Sequence, residues 1–101
     1  MSQVYKLKAT VSTTGGSGSQ NTNRVVHGLC YQLFVNAGTS TTIFRANLTD
    51  EDGDVIKDYD FHRGQINDLF RDPVPVVGVY TINVTNASAD GDFTCKFLVV
   101  E

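Results

Sequence analysis

Apolar and polar residues alternate with a period of two along almost all of this 101-residue chain. In the first segment, for example, Leu7, Ala9 and Val11 are separated by Lys8 and Thr10. Since successive side chains of a strand point to opposite faces, this period predicts strands with one buried face. About seven to eight such segments, separated by turns, predict an all-β, antiparallel β-sandwich.

The alternation also predicts which side chains form the core. In the segment after residue 24, one face carries His27 with the apolar residues Val25, Leu29, Tyr31, Leu33 and Val35. The inward residues of later segments are Phe44, Ala46 and Leu48, then Tyr80, Ile82 and Val84, then Phe93, Cys95, Phe97 and Val99. We therefore expect Leu33, Phe44, Ile82 and Phe97 to meet between the two sheets.

One segment departs from the period of two. The sequence QINDLFRD, residues 65–72, predicts a helix of about two turns that Pro73 ends.

The stretch TTGGSGSQNTN, residues 13–23, contains no apolar side chain that could join a core. It divides the chain into an N-terminal strand with a flexible Gly/Ser/Thr-rich arm or loop, residues 1–23, and a β-sandwich domain, residues 24–101. We expect the arm to contact a neighbouring chain, its strand completing a partner's sheet. The alternative is a long loop lying on its own sandwich. If the arm lies outside the core, a chain lacking residues 1–20 keeps its fold.

Charge and hydropathy exclude two kinds of partner. The formal net charge is −3 and the isoelectric point about 5.2, which argues against nucleic acid, because binding phosphates requires a basic surface. No apolar run approaches the roughly 18 residues of a membrane helix. The N-terminus lacks the apolar region of a signal peptide. We expect synthesis in a cytoplasm and no membrane partner.

The two cysteines are expected to be reduced. On the alternation above, Cys30 points away from the apolar face of its strand, whereas Cys95 points into the core. Side chains on opposite faces cannot reach the separation that a disulfide requires, and a reducing compartment agrees with free thiols.

No residue is predicted to be catalytic, to bind a cofactor or to bind a metal. The acidic run of residues 50–54 contains the Asp-Gly signal of a hairpin turn. The alternative is calcium, for which Asp50, Asp52 and Asp54 could supply three of the six to eight oxygens required. His27 is expected to be a core or interface residue. His62 lies beside Asp60, but the sequence offers no partner for acid–base chemistry. We expect no enzyme.

Residues 78–101, GVYTINVTNASADGDFTCKFLVVE, resemble the last hairpin of immunoglobulin-like domains. Gly78 and Tyr80 stand where those domains have a glycine and the corner tyrosine, but Ile82 replaces the disulfide cysteine and Val76 the usual aspartate. The segments YQLFVNAGTSTTIF and VVGVYTINV are equally similar to jelly-roll-like bacterial accessory domains. The resemblances imply a sandwich and leave its strand order open.

In the order of its parts the whole chain resembles small tailed-bacteriophage virion proteins: a short strand, TTGGSGSQNTN, RVVHGLCYQLFV, the hairpin LTDEDGDVI, and a closing VGVYTINVTNASADGDFTCKFLVV. The resemblance implies a non-enzymatic capsid decoration (cement) or tail-associated subunit without cofactor. Its partners would be major capsid or tail subunits and itself, as a homo-oligomer in the virion. The alternative is a carbohydrate- or cell-surface-binding module, for which Tyr59 and Phe61 are the expected exposed aromatic pair.

Overall fold

The computed structural model describes residues 4–22 and 25–101, which form eight strands and no helix. The strands are β1 (Val4–Ser12), β2 (Gly18–Asn21), β3 (Val26–Asn36), β4 (Ile43–Thr49), β5 (Val55–Arg63), β6 (Gln65–Gly78), β7 (Thr81–Thr85) and β8 (Asp92–Val100). Two four-stranded antiparallel sheets, in the orders β1-β8-β3-β6 and β2-β7-β4-β5, pack face to face. The predicted all-β sandwich is therefore confirmed.

The strand order is that of a jelly roll. The pairs are β1 with β8, β2 with β7, β3 with β6 and β4 with β5, so the chain resembles one long hairpin rolled into two sheets. The immunoglobulin order, in which ABED faces CFG, does not occur. Of the two sequence resemblances, the jelly-roll-like one describes the topology.

The core lies between the sheets as the alternation predicted. Leu33 and Phe97 pair within the first sheet, and both are buried. Phe44 of β4 meets Phe93 of β8 edge to face, with ring centroids 4.9 Å apart, and so joins the two sheets. An aromatic pair of this geometry adds about 0.5–1.5 kcal/mol beyond the area that it buries.

A bulge in β3 reverses part of the predicted facing. The pairing of β3 with both of its neighbours shifts between Cys30 and Gln32. Relative to β8, Tyr31 is an extra residue, whereas on the other side it is β6 that has the surplus, with residues 70–73 opposite Tyr31 alone. Leu33 and Val35 stay inside as predicted, but before the bulge Cys30 points inward and Leu29 outward. The predictions of Val25, His27, Leu29 and Tyr31 as core residues were therefore wrong, because a single alternation cannot continue through a bulge.

Both cysteines are nevertheless free. The reason differs from the predicted one, because both side chains are buried. Cys30 lies opposite Val99 of β8, and Cys95 lies opposite Val35 of β3. Val99 and Cys95 are four positions apart along β8, which is about 13 Å, and a disulfide requires Cα atoms about 5.5 Å apart.

The predicted helix is wrong, because residues 65–72 belong to β6. Ile66 and Phe70 are both buried, and their spacing of four imitates a helical face. The position between them is Asp68, which pairs with inward-facing Leu33. A carboxylate at an inward position concealed the period of two.

The N-terminal stretch is part of the sandwich. β1 lies beside β8 and β2 lies beside β7, so residues 4–22 supply two of the eight strands and the turn between them. Val11 of β1 is fully buried. We therefore expect a chain lacking residues 1–20 to unfold, which reverses the expectation for a separate arm.

The glycines of this stretch build the crossing from β1 to β2. Gly15 and Gly16 have φ values of +63° and +86°, which favour glycine, and Asp90 accepts both of their N–H groups at 3.0 and 2.8 Å. At Gly18, a Cβ atom would stand 2.2 Å from the carbonyl oxygen of Ser12. The stretch that looked like a linker is a tight connection between the two sheets.

Candidate functional site

The outer face of the β1-β8-β3-β6 sheet carries the most distinctive surface of the described residues. It has two adjoining regions, which we name the apolar end and the lysine pocket. The apolar end consists of Val4, Leu29, Pro75, Val77 and Val100. The lysine pocket, in the middle of the face, is lined by Lys6, Gln32, Phe34, Asn67, Lys96 and Leu98.

The register of the strands creates the apolar end. Val4, Val100, Leu29 and Pro75 lie opposite one another in a row that crosses all four strands, and Val77 follows two positions along β6. The side chains of Val4 and Val77 are 64% and 69% exposed. Isolated exposed apolar residues are ordinary, but a contiguous group is typical of an interaction surface.

The residues that line the lysine pocket lie in two further rows of the same register, together with Lys8 and Leu69 at the row ends. One row runs Lys6, Leu98, Gln32 and Leu69, and the next runs Lys8, Lys96, Phe34 and Asn67. The pocket has a volume of about 180 Å³. Every lining residue lies on a hydrogen-bonded strand, so the backbone fixes the relative positions of the Cβ atoms.

The pocket concentrates positive charge on an acidic protein. Lys6, Lys8 and Lys96 are three of the four lysines in the chain. Lys8 and Lys96 lie directly opposite one another, an arrangement of like charges that destabilises a sheet. In residues 4–22 and 25–101 the one ion pair joins Arg45 and Asp60, at 4.0 Å on the other sheet. The three ammonium groups therefore have no carboxylate partner among the described residues.

Amide and aromatic groups complete the pocket. Gln32 Nε2 donates a 2.8 Å hydrogen bond to Asn67 Oδ1. Exchanging O and N in both amides preserves this bond, so in either orientation one amide NH2 group and one amide oxygen of the pair have no hydrogen bond to the described residues. The Lys96 ammonium lies 5.4 Å from the ring centre of Phe34. The pocket thus offers cations, a hydrogen-bond donor, an acceptor and an apolar ring.

A larger cavity, about 290 Å³, lies between the β3–β4 connection and the β5–β6 corner. Its lining is Asn36, Gly38, Ser40, Arg63, Gly64 and Gln65. Gly64 donates its N–H to Thr42 O at 2.7 Å, and Gly64 O accepts from Ala37 N. The backbone of this corner forms the cavity, and Arg63 is the one charged side chain in its lining. The cavity therefore offers a ligand fewer charged groups than the lysine pocket does.

The acidic run forms the predicted hairpin turn between β4 and β5. Asp50 Oδ1 accepts the N–H groups of Asp52 at 3.0 Å and Asp54 at 2.9 Å, and Gly53 has a φ of +84°. Carboxylate oxygens of Asp50, Asp52 and Asp54 lie within 4.8 Å of one another. They supply three oxygens where calcium requires six to eight, and their hydrogen bonds to the turn account for their proximity.

The histidines and cysteines do not assemble into one site. His27 lies on the exposed outer face opposite Val77, so of its two expected positions, core or interface, the core position is wrong. His62 Nδ1 lies 2.8 Å from the backbone oxygen of Asp60 rather than from its carboxylate. Burial raises the pKa of the Cys30 and Cys95 thiols to about 12, so both remain protonated at neutral pH.

The predicted aromatic pair does not form a platform. Tyr59 is half-buried, and its hydroxyl donates a 2.7 Å hydrogen bond to Asp68 Oδ2. Phe61 is exposed, and the Arg45 guanidinium lies 5.6 Å from its ring centre. The carbohydrate-binding interpretation therefore finds no support at these two residues.

Sequence reasoning missed the lysine pocket because the basic residues look scattered along the chain. Lys6 and Lys8 belong to the first strand and Lys96 to the last. They meet because β1 pairs with β8. The available signal was parity, since Lys6, Lys8 and Lys96 all occupy outward positions in their alternating segments.

The described residues form no helix that is long and apolar enough to cross a membrane.

No protein-family model matches this chain. No curated protein sequence matches it either.

Several solved structures resemble the fold at low sequence identity. The pre-peptidase C-terminal domain of collagenase from Bacillus anthracis is 17% identical, with a TM-score of 0.49, and the match covers 96% of this chain and 88% of that domain. A structure of infectious bursal disease virus, Gx strain, is 12% identical with a TM-score of 0.47. The match covers 99% of this chain and 33% of that chain, so this chain spans about a third of its length.

A third similar structure is the CBM36-1 domain of a multidomain xylanase from the hindgut metagenome of Trinervitermes trinervoides. It is 10% identical with a TM-score of 0.45, and the match covers 100% of this chain and 97% of that domain. At these identities and TM-scores, none of the three decides the function of this chain.

Proposed function

We propose that this chain is a non-enzymatic structural subunit of a virion, either a bacteriophage capsid decoration protein or a tail-associated protein. The observation that supports this proposal is the apolar end of the outer sheet face. Five apolar residues, carried by four paired strands, form a rigid surface that gains stability when another protein covers it. The order of parts in the sequence, which resembles small virion proteins, supplies the class of partner.

The proposed contact does not use the N-terminal strand as an arm. β1 pairs with β8 of the same chain, and Val4 at its start belongs to the apolar end. The contact surface is therefore a sheet face rather than a strand donated to a neighbour. Neighbouring capsid or tail subunits are the proposed partners, together with further copies of the chain itself.

The absence of enzymatic activity is also part of the proposal. His62 contacts a backbone carbonyl, and burial keeps both thiols protonated. Neither geometry supplies the activated nucleophile or the paired acid and base that covalent or acid–base catalysis requires.

The test has two parts: the protein should be detected on purified particles, and substitutions at the apolar end should weaken its binding to them. Mass spectrometry of virions purified on a density gradient should detect the chain. In a co-sedimentation assay with particles lacking it, the double variant Leu29→Ser, Val77→Ser should bind about tenfold less, because two apolar contacts are lost.

The matched control is Val55→Ser, which removes an apolar residue that is 55% exposed on the other sheet. It should bind particles as the unaltered chain does. A protein missing from purified particles contradicts the virion role. Undiminished binding of the double variant contradicts the assignment of the apolar end as the contact surface.

A further inference from the structure

We propose that the lysine pocket binds an acidic saccharide, that is, a sugar chain whose residues carry carboxylate groups. This inference is independent of the virion role, because the apolar end and the lysine pocket share no residue. A subunit that contacts a particle through the apolar end can bind a polysaccharide through the lysine pocket.

The first argument is charge. Lys8 and Lys96 repel one another across β1 and β8, and Lys6 adds a third ammonium group on the same face. The acidic residue on this face of β8 is Asp92, which accepts a 2.7 Å hydrogen bond from Ser12 Oγ. It lies four positions from Lys96, about 13 Å away, which exceeds the screening length of about 8–10 Å at physiological salt. A bound anion would supply the missing partner.

The second argument concerns the amides. After Gln32 Nε2 has donated to Asn67 Oδ1, the pair retains a donor NH2 group and an acceptor oxygen beside the lysines. Neighbouring hydroxyl groups of a sugar ring each donate and accept hydrogen bonds, so two of them match this pair. A fully ionised simple anion such as sulfate has no hydrogen to donate to the acceptor oxygen.

The third argument is the floor of the pocket. The ring of Phe34 and the side chain of Leu98 are half-buried and line the pocket beside the charged groups. A sugar ring has an apolar C–H face that packs on such a surface. The volume of about 180 Å³ equals about six water molecules at their liquid volume, which is enough for one ring.

The fourth argument is the surface next to the pocket. The following row of the register is Thr10, Thr94, Asn36 and Gln65, all polar. A saccharide longer than one unit can continue over this row and hydrogen bond to it. The geometry therefore favours an oligosaccharide over a single sugar acid.

The experiment is a calorimetric titration of the full chain with two uronate tetrasaccharides, tetragalacturonate and a hyaluronan tetrasaccharide. Three probes separate the sources of binding. Methyl-esterified tetragalacturonate has the rings without the charge, tetraglutamate has the charge without the rings, and inorganic phosphate is a simple anion. We expect at least one uronate to bind, more weakly as salt rises, and the three other probes to bind at least about tenfold more weakly.

Variants assign the binding to the pocket. Lys6→Gln and Lys96→Gln should each weaken uronate binding about tenfold, because each removes one charge-assisted hydrogen bond. Phe34→Leu should weaken the binding of uronate and leave any binding of tetraglutamate unchanged. The matched control is Arg45→Gln, which removes one positive charge from the other sheet and should leave uronate binding unchanged. Thermal unfolding of each variant verifies that it is folded.

Four outcomes overturn the proposal. They are no uronate binding up to about 10 mM, roughly ten times the weakest dissociation constant usually tabulated, equal binding of phosphate or tetraglutamate, equal binding of the methyl ester, and folded lysine variants that bind as the unaltered chain does. None of these outcomes bears on particle binding, which the Leu29 and Val77 variants test separately.

Discussion

The hydroxyl of Tyr59 on β5 donates a 2.7 Å hydrogen bond to the carboxylate of Asp68 on β6. The two strands belong to different sheets and lie at adjacent edges of the sandwich. Asp68 occupies an inward position opposite Leu33, where an unpartnered carboxylate would be costly. The bond therefore joins the two sheets where an apolar pair would otherwise be expected.

Tyr59→Phe should lower the free energy of unfolding by about 1–3 kcal/mol, because it leaves the Asp68 carboxylate without its donor. Urea denaturation measures the loss. The control is Tyr31→Phe, which removes a hydroxyl that makes no hydrogen bond with the described residues, and which should change stability by less than about 0.5 kcal/mol. Equal losses in the two variants would mean that the bond to Asp68 contributes nothing specific.

The same tyrosine predicts a dependence on alkaline pH. Burial, and next the hydrogen bond to Asp68, raise the pKa of Tyr59 above its ordinary value. In the unfolded chain a tyrosine ionises near pH 10, so above that pH the unfolded state loses a proton that the folded state keeps. Stability is therefore fully present below about pH 10 and falls as pH rises. The stability difference between the unaltered chain and Tyr59→Phe should shrink from pH 10 upward, and a constant difference would contradict this linkage.

The cysteines should resist alkylation in the folded protein. Both are buried, and burial raises the pKa of each thiol to about 12, so the reactive thiolate is scarce at pH 8. We expect iodoacetamide to modify neither in the native state and both in denaturant without reductant, as counted by mass spectrometry. Modification of neither in denaturant would indicate a disulfide.

The alternation predicted the sandwich and its core because both depend on local parity, and Leu33, Phe44, Ile82 and Phe97 lie where it placed them. The bulge at Tyr31 and the inward Asp68 could not be predicted in this way. Each depends on a partner strand that is distant in sequence: Tyr31 is an extra residue only relative to β8, and Asp68 is tolerated inside only because Tyr59 reaches it. The lysine pocket has the same origin, since Lys6 and Lys96 meet only through the pairing of the first strand with the last.

Gly18→Ala should destabilise the fold by about 1–3 kcal/mol through overpacking. The added methyl group would stand 2.2 Å from the backbone oxygen of Ser12, so β1 and β2 would have to separate where the chain crosses between sheets. Gly91→Ala is the matched control, because nothing lies within 4 Å of its Cβ position and its φ is not positive. It should change stability by less than about 0.5 kcal/mol. Urea denaturation measures the free energy of unfolding of both variants. Equal values for Gly18→Ala and Gly91→Ala would show that the crossing between the sheets can relax around the added methyl group.

Asp90 should hold the Gly15–Gly16 turn in a pH-dependent way. The hydrogen bond from the Gly16 N–H, and next that from Gly15, lower the pKa of the Asp90 carboxyl group. A lowered pKa gives stabilisation that is present above the unfolded value of about 3.9 and is lost as pH falls through the folded value.

Asp90→Ala should therefore speed amide hydrogen exchange at Gly15 and Gly16 at pH 6, and Asp90→Asn, which keeps one acceptor, should speed it less. Asp58→Ala removes an exposed carboxylate that makes no hydrogen bond with the described residues, and it should leave both exchange rates unchanged. If exchange at the two glycines is the same in the unaltered chain and in Asp90→Ala at pH 6, the carboxylate does not hold the turn, and the geometry of the glycines alone must account for it.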